Sequence, residues 1–315
     1  MDRELRPFHH VLFWVFVATT MASGLAWGQA PYKVMAPEAL IHAWPPATRS
    51  DRALIEDAIV ERRAMSLPAL RQAVGAGGVT EKLFASAMLA QMRDQDSAAT
   101  LLTATGDPDP RVRTRAVTAL RVIGVRDAVT RLRQLARAET GAVLKVSLVA
   151  LGELGTSRDA SLVRSFFSHP DEDVRVMAAG ALAMLGDGQG QETLLAATRG
   201  SDPLAQKNAT YALGYLGTPE ATARLHEILD DPSGQWKSYA VIALALQALR
   251  VQSPQQQVVT LDELARGHDR LAGDWALDRL VDLDSPAATQ ALATLAGQGD
   301  ERGRQAARRF RAVGR

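Results

Sequence analysis

Apolar and small residues return along the chain in steps of 31. An Ala-Leu pair stands at Ala119-Leu120, Ala150-Leu151, Ala181-Leu182, Ala212-Leu213 and Ala243-Leu244, with Met88-Leu89 in the same register one period earlier. Glycine keeps step at Gly124, Gly155, Gly186 and Gly217. A fixed period of this length marks a chain built from supersecondary units stacked in one direction. Residues 97–127 serve as the type unit. Ser97 is placed to cap a short helix. Gly106-Asp107-Pro108-Asp109-Pro110 cannot continue that helix and turns the chain. Val112, Ala116, Ala119, Leu120 and Ile123 then fall on one face of a longer helix, and Gly124 fits the left-handed position that ends it.

Two columns give the pairs a core. In the first helix Leu70, Leu101, Leu132, Val163, Leu194 and Leu225 share one position, and Leu135, Phe166 and Ile228 extend the stripe, with Ala104 and Ala197 at the equivalent places. In the second helix Ala85, Ala116, Ser147, Ala178, Ala209 and Ala240 stay small, as they must where neighbouring helices approach closely. The pattern predicts an all-α solenoid of antiparallel helix pairs, about 7–8 repeats in all, of which six are regular over 66–251. The period then breaks: Ala276-Leu277 follows Ala243-Leu244 by 33 residues, after a polar Ser253-Pro254-Gln255-Gln256-Gln257 stretch. Two irregular pairs, 258–284 and 286–312, are expected within a C-terminal cap over 252–315. At the other end Ser50 or Asp51 opens a capping helix over 50–65. Residues 29–49, with Trp44-Pro45-Pro46, read as a linker.

The first residues follow a different rule. From Pro7 to Tyr32 there is no Asp, Glu, Lys or Arg, and Val11 to Ala18 is a dense apolar run. Arg3 and Arg6 precede it and small residues follow, the layout of a secretory signal peptide over 1–28. Ala26-Trp27-Gly28 places the cut between Gly28 and Gln29. The alternatives are an uncleaved anchor over Val11 to Gly28 and a buried helix of the fold. Either of the first two readings places residues 31–315 outside the cytoplasm, in the periplasm or secreted, or anchored and facing outward.

Composition narrows the chemistry. The chain has no cysteine, which removes disulfides, thiolate metal sites and a cysteine nucleophile. Lys and Arg number 36 against 35 Asp and Glu, so no whole-chain field draws nucleic acid. No zincin, serine-hydrolase or Walker motif is present. Gly186-Asp187-Gly188-Gln189-Gly190 follows a helix rather than a strand and is a turn, not a phosphate loop.

With these residues laid out, the chain resembles the HEAT-like repeats of phycobilin lyases, an armadillo-type superhelix. The likeness rests on Asp109-Pro110-Arg111-Val112-Arg113-x-x-Ala116-x-x-Ala119-Leu120-x-x-x-Gly124 and on Asp173-Val174-Arg175-x-x-Ala178-x-x-Ala181-Leu182-Ala183-Met184-Leu185-Gly186. It covers 66–251 well and 258–312 loosely. Such repeats occur in bilin lyases, in a diiron hydroxylase of translation factors, in DNA-repair glycosylases and in plain scaffolds, so fold analogy does not choose a function. The hydroxylase branch needs several His-Glu pairs in register; this chain has His226-Glu227 alone.

Two sets of charges are candidates. A basic column runs Lys82, Arg113, Arg175 and Lys237, with Lys145 and Lys207 displaced by one residue beside Leu144 and Gln206. Asp109 and Asp171 stand four residues before Arg113 and Arg175, so the column also reads as a structural ladder. A denser basic region spans Arg111, Arg113, Arg115, Arg121, Arg126, Arg131, Arg133 and Arg137, opposed within that span only by Asp127. Aromatics are too few to interleave with it as a nucleic-acid groove requires. Trp236 shares the apolar column of Val112, Val143 and Val174.

The expectation is an exported, non-catalytic scaffold without cofactor or metal. The family resemblance implies that second helices line the concave face, here 110–123, 141–154, 172–185, 203–216 and 235–249. A protein partner is expected there, through Lys82, Arg113, Arg175, Lys207 and Lys237. Nucleic acid is not expected, and membrane contact only through an uncleaved N-terminal segment. The resemblance also implies an alternative: a lyase-like or chaperone-like handler of a cofactor-bearing protein.

Overall fold

In a computed structural model the described residues are 30–298 and 301–313; the signal segment and the Gly28–Gln29 cut lie outside them. Three helices open the array: α1 (Ala30–Val34), α2 (Pro37–Ala43) and α3 (Arg49–Glu61). Eight pairs follow. They are α4 and α5 (Arg63–Ala76, Val79–Gln91), α6 and α7 (Ala98–Ala104, Pro110–Ile123), and α8 and α9 (Val129–Ala138, Gly141–Leu154). Next come α10 and α11 (Ala160–Arg164, Glu172–Met184), α12 and α13 (Gln191–Ala197, Pro203–Leu213), and α14 and α15 (Pro219–Asp230, Lys237–Leu249). The array ends with α16 and α17 (Pro254–Arg266, Arg270–Asp282) and α18 and α19 (Pro286–Ala296, Glu301–Ala312). No strand occurs among the described residues.

The two columns form the core. Leu70, Leu101, Leu132, Val163, Leu194 and Leu225 are wholly buried, as are Ala85, Ala116, Ser147, Ala178, Ala209 and Ala240. Second helices start on aspartate caps: the Asp109 and Asp171 carboxylates accept from the backbone N–H of Arg111 and Asp173 at 2.8 and 2.9 Å. A first-position proline follows Asp109 and Asp202, where its missing N–H costs nothing. Gly124, Gly186 and Gly217 take positive φ, the left-handed turn.

Four local expectations are corrected. Ser97 does not cap α6; it lies in the preceding 3₁₀ turn, where its hydroxyl donates to the Asp94 carbonyl. Gly155 is extended rather than left-handed, because Thr156 and Asp159 form a reciprocal capping box directly after it. The expected linker over 29–49 contains α1 and α2, whose Tyr32, Leu40 and Ile41 are buried in the main core. Trp44 stacks on Phe84 at 4.4 Å, so this segment seals the open end of the stack. The capping helix begins at Arg49, with Thr48 accepting from the Asp51 N–H, and ends at Glu61.

Successive second helices pack in one continuous row, α5, α7, α9, α11, α13, α15, α17 and α19, and α19 packs back on α3. The array therefore closes on itself. Arg63 makes the closing bond: its guanidinium donates to the Ala312 carbonyl at 2.6 Å and to the Met92 carbonyl at 2.7 Å. Arg308 meets Asp57 at 3.1 Å, and Arg93 pairs with Asp282. Tight curvature makes this possible. A Cβ at Gly152 would lie 2.8 Å from the Ala181 Cα, and one at Gly214 would lie 2.8 Å from the Ala243 Cα. These glycines share one register position on α9 and at the end of α13, so the missing side chains set the inner spacing.

Ion pairs join each repeat to the next: Lys82–Asp107 at 2.7 Å, Arg113–Glu139 at 3.0 Å, Arg121–Glu153 at 2.7 Å and Arg164–Asp187 at 2.6 Å. Asp159 is the most deeply placed partner, taking Arg133 at 2.5 Å and the Thr156 N–H at 2.9 Å. Burial alone would raise its pKa; the Arg133 hydrogen bond and the Thr156 N–H outweigh it and hold the carboxyl below its ordinary value. A depressed folded pKa contributes stability that is complete above the unfolded value and disappears as pH falls through the folded one. Asp107, Asp171 and Asp187 are lowered as well. The melting temperature is expected to fall as pH drops from about 5 to about 2. Asp159→Asn should cost about 2 kcal/mol at neutral pH and flatten that acid slope. Thermal unfolding of both proteins across pH checks this; an unchanged slope overturns it.

Candidate functional site

The basic column does not converge on a site. Lys82 and Arg113 are spent on Asp107 and Glu139 of the following turns. Arg113 and Arg175 also donate to the carbonyls of the turn before their own helix, at Asp107 and Pro108 and at His169 and Pro170. The aspartates four residues earlier are not their partners. Asp109 pairs with Arg111 at 2.6 Å, and Asp171 with Lys145 of the preceding repeat at 3.0 Å. Lys207 and Lys237 differ: neither ammonium has an ion pair among the described residues. The denser basic region is neutralised in part: Arg111 and Arg113 pair with Asp109 and Glu139, Arg121 and Arg133 find Glu153 and Asp159 one repeat on, and Arg131 donates to the uncharged Thr105. Glu227 is held by Arg224 and Arg199. Trp236 is half-buried and donates to Gln206 at 3.1 Å.

What does converge lies where the ends of the array meet. The C-terminal ends of α5, α7, α9 and α13 face α17 and α19 across a chamber of about 840 Å³. Arg63, Arg93, Arg121, Arg279 and Arg309 enter it beside Glu153, Asp278, Asp282 and Asp284, with Tyr211 and Trp275 among the walls. Helix C-termini carry partial negative charge, which suits a lining rich in arginine. Tyr211 and Tyr215 sit one helical turn apart with their hydroxyls 3.2 Å from each other. They pack with Trp275 around Ile242, Leu246 and Ala272, which gives the chamber one apolar wall.

These groups feel one another strongly. Burial works against the Arg279 charge, but Tyr211, Tyr215, Asp282 and Glu153 outweigh it and raise its pKa. Burial also pushes Asp282 up, against the pull of Arg93 and Arg279. Tyr215 is raised by burial, by the Tyr211 hydroxyl and by Glu153, and stays a neutral hydrogen-bonding group. The surroundings therefore favour the charged form of Arg279 and the protonated form of Tyr215.

The sequence reading missed this group. Two i, i+4 pairs were the available signal: Tyr211 with Tyr215, and Trp275 with Arg279, each placing two large side chains on one helix face. Nothing in the period told that α17 would come to lie opposite α5.

The stacked pairs and closed inner row define an all-α repeat solenoid. The model of HEAT repeats matches residues 67–152, 101–168 and 160–245, more than half of the chain. The chain belongs to the HEAT-repeat family. It is similar in structure to the complex of CpcE and CpcF of phycocyanin lyase from Nostoc sp. PCC7120, at 21% identity over 72% of this chain and 93% of that one, with a TM-score of 0.55. Human deoxyhypusine hydroxylase in complex with glycerol matches at 15% identity over 81% and 97% of the two chains, with a TM-score of 0.38. At these identities the likeness is one of fold, and the second superposition carries no argument. No curated protein matches the sequence.

Proposed function

We propose that the protein is an exported, non-catalytic scaffold that holds a protein partner along the second helices of its array. HEAT repeats build extended surfaces from columns of equivalent side chains, which favours recognition of a partner over a single reactive centre. The observation that carries the reading is the pair Lys207 and Lys237. Lys237 continues the basic column at the start of α15 and Lys207 stands one residue beside it on α13; neither makes an ion pair among the described residues, Lys237 acting on Asp231 only at a distance, whereas Lys82 and Arg113 are consumed internally. An acidic segment of a partner suits that edge. The periplasmic or secreted location rests on the signal-like segment 1–28. Among the described residues no helix is long and apolar enough to cross a membrane, so attachment would fall to Val11 to Gly28 if it stays uncleaved.

Affinity capture from the exported fraction of the native host tests this, comparing the natural chain with Lys207→Glu/Lys237→Glu. Loss of one captured protein with the fold intact is the expected result. An identical set of captured proteins rejects the chosen edge. The likeness to phycocyanin lyase subunits supports one alternative, a lyase-like or chaperone-like handler of a cofactor-bearing protein. That reading requires a chromophore or cofactor to accompany the captured protein, visible as absorption above the aromatic band.

A further inference from the structure

Five arginines line the chamber, and four of them donate hydrogen bonds within the protein. Arg63 donates to the Met92 and Ala312 carbonyls, Arg93 pairs with Asp282, Arg121 with Glu153 and Arg309 with Asp278. Arg279 is the exception. Its guanidinium donates no hydrogen bond among the described residues, and its one ion pair is a loose one, to the second Asp282 oxygen at 3.5 Å, while Arg93 takes the first. The side chain retains 35% exposure, so the donors are accessible from the chamber. Beside it the Trp275 ring lies 5.7 Å from the guanidinium carbon, and the buried Trp275 indole N–H has no partner.

We infer that the chamber binds a small apolar monocarboxylate. The planar fork of Arg279 takes the carboxylate through two parallel N–H donors, a geometry an ammonium does not offer. Charge selects the class: five arginines against Glu153, Asp278, Asp282 and Asp284 leave one positive charge. A monoanion balances that, whereas a phosphate dianion meets four carboxylates in the same space. Tyr211, Trp275, Val122, Ile123, Val281 and Val313 supply surface for an apolar body. The volume falls in the range of small-molecule sites and is too small for a folded domain. This site is separate from the Lys207 and Lys237 edge, so either proposal can fail alone.

Calorimetric titration of the full chain with 2-naphthoate, its neutral amide and inorganic phosphate tests the inference. Naphthoate is expected to bind, with the amide and phosphate each at least about 10-fold weaker. Arg279→Gln should weaken naphthoate by about 10- to 100-fold, the loss of hydrogen bonds to a charged group, and leave the amide unchanged. Arg279→Lys keeps the charge but loses the planar fork, and should weaken naphthoate several-fold; it serves if Arg279→Gln does not fold. Equal binding of acid and amide, preference for phosphate, or no naphthoate binding overturns the assignment. So does full retention of naphthoate affinity in a folded Arg279→Gln or Arg279→Lys protein.

Discussion

Gly214→Leu is expected to destabilise the protein by about 3 kcal/mol and to enlarge it in solution. A Cβ at this position meets the Cα and carbonyl oxygen of Ala243 at 2.8 Å and its Cβ at 3.1 Å. Two of those three are backbone atoms of the next inner helix, which cannot swing aside as a flexible side chain does. The only relief is to separate the helices, and separation at this point straightens the curve that brings α19 to α3. Overpacking in a well-filled interior typically costs 1–3 kcal/mol, and rigid neighbours place this site at the upper end. Chemical denaturation gives the stability loss and small-angle scattering the radius. Gly188→Ala is the control: nothing lies within 4 Å of its Cβ and its φ is not positive, so it should stay within about 0.5 kcal/mol of the natural chain. A Gly214→Leu protein with unchanged stability and radius contradicts the account of the curvature.

Arg63→Ala is expected to cost about 3 kcal/mol and to release the C-terminal pair from the N-terminal end. Arg63 bridges two carbonyls that belong to opposite ends of the chain, Met92 in the first complete pair and Ala312 at the last turn of α19. Each is a hydrogen bond from a charged donor, the stronger kind, in a site where removal leaves both acceptors without that partner. Arg308 also crosses the seam, to Asp57, but both side chains are well exposed there, at 50% and 34%. Solvent screens that pair, and Arg308→Ala should change stability by less than about 1 kcal/mol. Hydrogen exchange distinguishes the two variants. Amides of α18 and α19 should lose protection in Arg63→Ala and keep it in Arg308→Ala. Equal protection in both places the closing energy elsewhere, in the α3–α19 apolar contact.

Much of the architecture was legible because a solenoid's contacts are local in sequence. Leu132 packs with Leu101 and Val163 for the same reason in every repeat, so one period carries the core. Local charge arithmetic failed for the same geometrical reason. Arg121 and Arg133 look unopposed within their own segment, yet Glu153 and Asp159 stand 32 and 26 residues on, which is one layer up in the stack. An ion-pair reading limited to one helix cannot see a partner a whole repeat away. The linker reading of 29–49 failed because Trp44-Pro45-Pro46 breaks regular structure without preventing burial. Trp44, Leu40 and Ile41 cover core that the first repeat would otherwise leave open.

The sequence by itself determined the repeating unit, the two buried columns and the direction of stacking, since each depends on contacts between neighbours in the period. It also showed where the regularity ends, after Leu244. Only the tertiary structure decided that the stack closes. Closure is the sum of small rotations between repeats, set by spacings such as that at Gly214, and no single period reports that sum. Because the ends meet, Arg63 reaches Ala312 and Arg279 comes to face Tyr211. A chamber formed by residues so far apart in the chain has no signature in a 31-residue pattern.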